Sequence, residues 1–337
     1  MAPRTTLAAT CEAPPNIALV KYWGVRDAER ALPYNPSFSV SLDQLRSRTT
    51  VRFFPGPAKD RVVLNGREEL GETRESVVQF LNRVREMAGS AYGAEVVSAN
   101  NFPTATGLAS SASGFAALAG AATAALGLRL SDRALSRLAR YGSGSASRSV
   151  FGGFVEWRAG ERPDGSDCYA RPVYPPDHWP ALVDLVVLVR GAPVKEVRSA
   201  EAMQRTVATS PAFPTRIAEV PGRIVRIRRA VGARDPERLF PLVMEECDSF
   251  REVCETTRPT LDYLTTTSRA VLGEVRTMNR DAGRPIAAYT HDAGAHVHVF
   301  TLDRYLSRVR QRIRRVPGID RTQVLSPGPG IRRARVR

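Results

Sequence analysis

The sequence predicts an α+β chain built as two closely packed lobes. Strand-like and helix-like segments interleave without the regular βα alternation of a parallel sheet, and the composition changes near Asp177–Pro180, just before the apolar run Leu182–Arg190. At 337 residues the chain is long enough to bury a large core. The boundary is placed near Pro180, giving residues 1–180 to the first lobe, 181–330 to the second and 331–337 to a basic tail.

In chain order, Ile17–Val20 reads as a strand, followed by a loop rich in Pro, Asn and Ser (Pro33–Ser39). Phe38, Val40 and Leu42 alternate as in a second strand. Thr49–Phe54 and Arg61–Leu64 read as further strands, the latter closed by the Asn65-Gly66 turn signal. Between Glu75 and Met87, apolar residues at 77, 78, 80, 81, 84 and 87 recur with helical spacing. Val96–Phe102 is a strand leading into a Gly/Ser loop, and Ser113–Leu128 a helix leading out of it. Ser131-Asp132 can cap a helix over Ala134–Arg140. A second Gly/Ser segment, Tyr141–Ser149, precedes Phe151–Trp157. Past the boundary, helices are expected at Ala200–Thr209, Pro214–Val231 (with a candidate break at Pro221-Gly222), Pro236–Thr256 and Thr260–Ala282. Two strands flank His291–Ala295.

No apolar run reaches the roughly 20 residues of a membrane helix. The first residues, Met-Ala-Pro-Arg-Thr-Thr, are not followed by an apolar stretch, so no secretory leader is expected. Cys11, Cys168, Cys247 and Cys254 are scattered without a Cys-x-x-Cys, which fits buried free thiols in a reducing cytoplasm rather than disulfides or zinc. The net charge of +15 admits a nucleic-acid surface. However, the only lysines are Lys21, Lys59 and Lys195, and the arginines are spread along the chain, a compositional bias that needs no polyanionic partner. Neither a membrane nor a nucleic acid is expected as a partner.

Four stretches carry chemistry. Pro103–Ser113 is a strand–turn–helix passage in which backbone N–H groups and the helix dipole can converge on phosphate. Gly107 permits close approach, while Ser110, Ser111 and Ser113 can bond phosphate oxygens or magnesium, or simply cap the helix. Gly142–Arg148 clusters serines beside a guanidinium that can grip a carboxylate or phosphate; a flexible Gly/Ser turn with a surface arginine is the plainer reading. In Ala287–Phe300, Asp292 sits in a tight turn between apolar strands, either as a rigidly held base or as an ordinary Asx turn. His296 and His298 have strand spacing, but no third ligand lies near in sequence and a metal site is not expected there. In Pro15–Asp27, Lys21, Tyr22 and Trp23 at a strand end can line an anion pocket or form core.

Taken together, these stretches resemble the mevalonate diphosphate decarboxylases of the GHMP kinase superfamily. The matching text is Ala13-Pro-Pro-Asn-Ile-Ala, Lys21-Tyr-Trp-Gly, Leu32-Pro-Tyr-Asn, Asn100-Asn-Phe-Pro-Thr-Ala-Thr-Gly-Leu-Ala-Ser-Ser-Ala, Gly142–Ser149, Gly152-Gly-Phe-Val-Glu-Trp and Asp292-Ala-Gly. The resemblance implies the superfamily fold, with an N-terminal lobe like ribosomal protein S5 and a ferredoxin-like C-terminal lobe. It implies ATP and Mg²⁺ held at Asn100, Pro103, Gly107, Leu108, Ala109, Ser110, Ser111 and Ala112, with Ser111 the candidate magnesium ligand. It assigns catalysis to Asp292, Arg148 and Lys21, with Asp292 at the substrate hydroxyl and Arg148 at the carboxylate. Substrate contacts would come from Tyr22, Trp23, Ser143, Gly144, Ser145, Arg148, Arg198 and Ser199. A homodimer is the family precedent.

The chemistry implied is phosphorylation of a tertiary alcohol by ATP, then loss of phosphate and CO₂ to give an alkene. Two departures bear on the substrate. Val25 stands where the family usually has a second lysine, and Arg198-Ser-Ala-Glu-Ala-Met203 stands where it reads Ser-Ser-Arg-x-Gly-Met, putting Ala200 in place of an arginine. With two cations gone and Glu201 present, the expected substrate is mevalonate 5-phosphate, giving isopentenyl phosphate. The alternatives are the 5-diphosphate, giving isopentenyl diphosphate, or phosphorylation alone as a mevalonate 3-kinase. An RNA-binding protein is the competing class.

Overall fold

A computed structural model describes residues 7–56, 59–102, 110–193 and 197–336. Of the expected nucleotide-loop residues, Pro103, Gly107, Leu108 and Ala109 therefore lie outside the described residues. The chain folds into the expected α+β arrangement. A six-stranded sheet runs in the order Arg332–Ala334, Leu7–Ala13, Ser47–Phe54, Gly93–Asn100, Arg61–Leu64 and Arg67–Glu68. Helices Glu72–Ala88 and Ser110–Ala125 cover one of its faces, packing Val77, Phe80 and Ala116 against Val51, Phe53 and Val96. Helix Ser110–Ala125 is almost entirely Ala, Gly and Ser, and is buried on most of its circumference rather than on one stripe. A Cβ at Gly120 would lie 2.6 Å from Ile331 and 3.0 Å from the Cys11 sulfur, so the small residue permits close approach.

A four-stranded sheet ordered Ala170–Tyr174, Phe154–Trp157, Ser37–Ser41, Asn16–Val20 joins this layer to the second half. The second half is a four-stranded antiparallel sheet, Ala287–Thr290, Val297–Leu302, Leu182–Val189, Ile319–Leu325. Leu182–Val189 is buried on both faces. Leu185 and Val187 meet helices Pro236–Thr256, Thr266–Asp281 and Asp303–Arg314 through Cys247, Val271 and Val309. Val186 and Leu188 join Ile17, Phe38 and Val40 of the first half and Ile224 and Phe240 of the second in one shared core. Each such fully buried side chain is worth about 1.5–3 kcal/mol, so the halves form a continuous body.

Three expectations are corrected. The stretch read as a basic tail supplies a strand: Arg332–Ala334 pairs antiparallel with Leu7–Ala13, returning the C-terminus to the first sheet. Pro221-Gly222 does not break its helix, which runs over Phe213–Gly232. One lost backbone donor is outweighed by the buried stripe Val220, Ile224 and Ile227. The helix expected from Thr260 starts at Thr266, because Thr265 and Ser268 form a reciprocal capping box and Leu261 and Leu264 are buried in the preceding irregular segment. All four cysteines are free and buried. Among the described residues, no helix is long and apolar enough to cross a membrane.

Candidate active site

Three backbone devices bring the site together. Strand Asn16–Val20 ends at Val20, leaving Lys21 just beyond the ladder. The short helix Ala146–Ser149 carries Arg148. The turn between Ala287–Thr290 and Val297–Leu302 carries Asp292, closed by the Gly294 N–H donating to the Asp292 carbonyl at 2.7 Å.

Lys21 is buried, and its ammonium donates to Asp292 Oδ1 at 2.7 Å. Burial alone would raise the Asp292 pKa. The Lys21 charge and hydrogen bond, with His298 and Arg148 further off, outweigh it and hold the carboxyl below its ordinary value.

Arg148 is 3% exposed. Its Nε donates to Asn16 Oδ1 at 3.0 Å and its Nη1 to Ser37 Oγ at 2.6 Å. Asn16 is fixed in turn by donating to Ser149 Oγ at 2.8 Å and to the Ser145 carbonyl at 3.2 Å. Among the described residues, no carboxylate makes an ion pair with Arg148, and burial pulls its pKa down to about 10. A desolvated guanidinium held by two neutral acceptors is costly. An anion would offset that cost, and the planar fork suits a carboxylate.

The Gly/Ser segment is not a flexible turn. Ser147, Arg148 and Ser149 are buried, and Ser143 and Ser145 bring their hydroxyls within 3.2 Å of each other. The Tyr22 ring meets Trp157 edge-on at 4.8 Å. Burial raises the Tyr22 phenol well above its usual range, so it is a neutral donor. A Cβ on Gly144 would lie 2.8 Å from both rings. Gly144→Ala is therefore expected to destabilise the fold by about 1–3 kcal/mol through overpacking, read from the midpoint of a urea melt.

A second region lies at the start of helix Ser110–Ala125. Ser110 and Ser111 line a cavity of about 730 Å³ together with Asn65, Ser98, Asn100, Phe115 and Arg198. That volume lies within the usual range for a small-molecule pocket, and its hydroxyl and amide rim suits phosphate and ribose. Asn100 accepts from the Ser47 hydroxyl, which also meets Ser113 Oγ at 2.6 Å. Ala112 is fully buried in the core.

Not every expected contact lies on a cavity wall. Trp23 packs in a core cluster with Met203 and Phe250, and its indole N–H is taken by Thr206 Oγ1 at 3.0 Å. Val25 packs against the same cluster. Arg198 reaches across to Glu72 at 2.7 Å and lines the cavity beside Ser110. Ser199 opens helix Ser199–Thr209 with no side-chain bond to Lys21, Asp292 or Arg148 among the described residues. Glu201 is neutralised by Arg205 at 2.9 Å.

Asn16 and Ser37, which aim Arg148, are not among the candidate residues, although they lie in Pro15–Asp27 and Pro33–Ser39. Nor are Glu246, Arg216 and Arg223. Their signal was a charge on an apolar stripe: Glu246 recurs with Leu239, Val243 and Phe250 at helical spacing.

The chain is similar to known proteins over most of its length. Residues 13–170 match the family model described as diphosphomevalonate decarboxylase-like N-terminal domain, and 185–326 that of the mevalonate 5-diphosphate decarboxylase C-terminal domain. The diphosphomevalonate decarboxylase of Bos taurus is 44% identical over 310 residues, covering 87% of this chain and 76% of its own. Diphosphomevalonate decarboxylase mvd1 of Aspergillus fumigatus is 42% identical over 331 residues, covering 94% and 82%. The solved mevalonate diphosphate decarboxylase from Enterococcus faecalis superposes with a TM-score of 0.90 at 34% identity, covering 98% of this chain and 100% of that one. A structure described as MDDEF in complex with MVAPP, AMPPCP and magnesium matches with a TM-score of 0.90 at 35% identity.

Proposed function

The chain belongs to the diphosphomevalonate decarboxylase family, and from that membership we propose that it is an ATP- and Mg²⁺-dependent decarboxylase of mevalonate 5-diphosphate, producing isopentenyl diphosphate. The observation that carries this reading is the buried Arg148, which has no carboxylate partner among the described residues, beside the Lys21–Asp292 pair. Such a site takes a substrate with a carboxylate at one end of its reacting centre and a hydroxyl at the other.

Arg148 receives the carboxylate and fixes the carbon–carbon bond that will break, which is a positioning effect. Asn16 and Ser37 hold the guanidinium in that orientation. Asp292 stays ionised and accepts a hydrogen bond from the tertiary hydroxyl. Because its carboxyl is held below the ordinary range it is a weak base, so it contributes mainly by aiming the hydroxyl and takes the proton as the oxygen is phosphorylated. Lys21 keeps Asp292 charged and adds positive potential at the developing negative charge. Bound ATP supplies the phosphoryl group that turns the hydroxyl into a leaving group. The cavity beside Ser110 and Ser111 fits the nucleotide. Ser111 would be available to Mg²⁺ as a hydroxyl ligand beside the nucleotide.

The expectation of a monophosphate substrate rested on Val25, Ala200 and Glu201. Glu201 is neutralised by Arg205, and the relatives carry the diphosphate in their names, so the diphosphate is the reading we adopt. The test is to incubate the protein with Mg-ATP and, separately, mevalonate, its 5-phosphate and its 5-diphosphate, measuring ADP and CO₂. Stoichiometric ADP and CO₂ are expected from the diphosphate. Release of CO₂ from the monophosphate alone would reverse the substrate choice, and ADP without CO₂ from all three would leave a 3-kinase.

A further inference from the structure

Lys21 lies outside any strand, yet its backbone is buried, so its N–H and C=O must find partners away from the sheet ladders. All but one of the partners come from the second half of the chain. The Lys21 N–H donates to Glu246 Oε1 at 2.9 Å, and its carbonyl accepts from Arg216 Nη2 at 3.3 Å and from Asn35 Nδ2 at 2.9 Å. Arg216 Nη2 also bonds Glu246 Oε1, and Arg223 Nη1 bonds Glu246 Oε2 at 3.1 Å. Glu246 is wholly buried and both arginines nearly so. Arg223 is further paired with Glu219 and lies 3.3 Å from Glu245, while Arg216 also reaches Ser249 Oγ at 3.2 Å.

One buried carboxylate between two guanidiniums is a poor way to stabilise a fold, because desolvating three charges costs as much as their attraction returns. Apolar residues of similar size would pack the helix pair Phe213–Gly232 and Pro236–Thr256 at least as well. What an apolar cluster could not do is hold both backbone groups of the residue whose ammonium meets Asp292 at 2.7 Å. We propose that Glu246 is a positioning residue for the reaction: with Arg216 and Arg223 it clamps the main chain of Lys21, so that the ammonium is presented to Asp292 in one geometry. This inference rests on the decarboxylase reading, in which Asp292 and Lys21 act at the substrate hydroxyl.

The experiment compares wild-type protein with Glu246→Gln, which keeps an acceptor for the Lys21 N–H but removes the charge that holds both arginines. Two quantities are read. One is the titration of the Asp292 carboxyl carbon by NMR, assigned through its loss in Asp292→Asn; the charged and titratable groups acting on that carboxyl are Lys21, His298 and Arg148, with His291 adjacent in the chain. The other is kcat and KM with Mg-ATP and mevalonate 5-diphosphate. A loosened Lys21 should let the Asp292 midpoint rise and lower kcat by about 10–100-fold, the scale of a misplacement near 1 Å, with KM for ATP within about twofold of wild type.

Both changes together support the clamp. Neither change, or either one alone, overturns it, because the clamp acts on kcat only through the Lys21–Asp292 contact. If wild-type protein releases no CO₂ from any mevalonate phosphate, the reaction is wrong and the titration alone decides the clamp. Should Glu246→Gln fail to fold, Glu246→Asp, which keeps the charge but withdraws the acceptor by one methylene, is read by the same criteria.

Discussion

Asp292→Asn is expected to lower kcat by about 10²–10⁴-fold, the range for loss of a positioned acid–base group, while leaving nucleotide affinity unchanged. The substitution keeps the shape of the side chain and removes the charge that meets Lys21 at 2.7 Å. The cavity proposed for the nucleotide is lined by Asn65, Ser98, Asn100, Ser110 and Ser111, none of which bonds Asp292. Nucleotide affinity measured by calorimetry, set beside single-turnover release of ADP, separates the two effects. Turnover within about threefold of wild type would remove Asp292 from the reaction. The pH dependence follows from the same contact. Because Lys21 holds the Asp292 carboxyl below its usual range, activity should be lost on the acid side only as the pH falls through that depressed value. The stability contributed by the pair has the same sign: it is present above the unfolded carboxyl pKa and lost as the pH falls through the folded one. Lys21→Met should move the acid limb of kcat/KM to higher pH, because burial then pushes the carboxyl up with less to oppose it.

The second large effect is expected at Arg148. Arg148→Met should cost about 10²–10³-fold in kcat/KM for the mevalonate substrate, on the scale of the 2–5 kcal/mol lost when a buried charge pair loses one partner. The same substitution should change folding stability by no more than about 1 kcal/mol, since relief of a desolvated guanidinium offsets two lost hydrogen bonds. Arg148→Lys keeps the charge but not the planar fork, so it should recover little of the activity. Steady-state kinetics and a urea melt on the same preparations check both halves. A large loss of stability with kinetics intact would make Arg148 structural. The combination expected, severe kinetic loss in a folded protein, is the mark of a charge whose partner is the substrate.

Much of the site was legible in the chain because its groups lie in short local motifs. Lys21-Tyr-Trp, Ser143–Arg148 and Asp292-Ala-Gly each place a charge beside a backbone feature that local rules recognise, whether a strand end, a helix start or a tight turn. The helix over Pro236–Thr256 was legible for a related reason, since its apolar spacing is set by the helix period itself. Less legible were elements whose stability comes from elsewhere. Arg332–Ala334 carries no strand signal, and only its pairing with Leu7–Ala13 makes it one. Helix Phe213–Gly232 runs through Pro221 because its buried stripe outweighs a local rule.

The sequence by itself determined the α+β class, the family and the residue types of the chemistry, because these depend on local pattern and on which side chains are present. Tertiary structure alone decided which of those residues act together. Trp23 and Lys21 are two positions apart and would share a face in a continued strand, yet one is core and the other meets Asp292, because the strand ends at Val20 and the alternation ends with it. Arg148 reads as a surface cation until Asn16 and Ser37, more than a hundred residues away, enclose it without neutralising it. Glu246 reads as one more charge on a helix until two arginines and the backbone of Lys21 converge on its carboxylate. Burial and charge compensation are properties of the assembled neighbourhood, and they turn a list of suitable residues into a site with a direction.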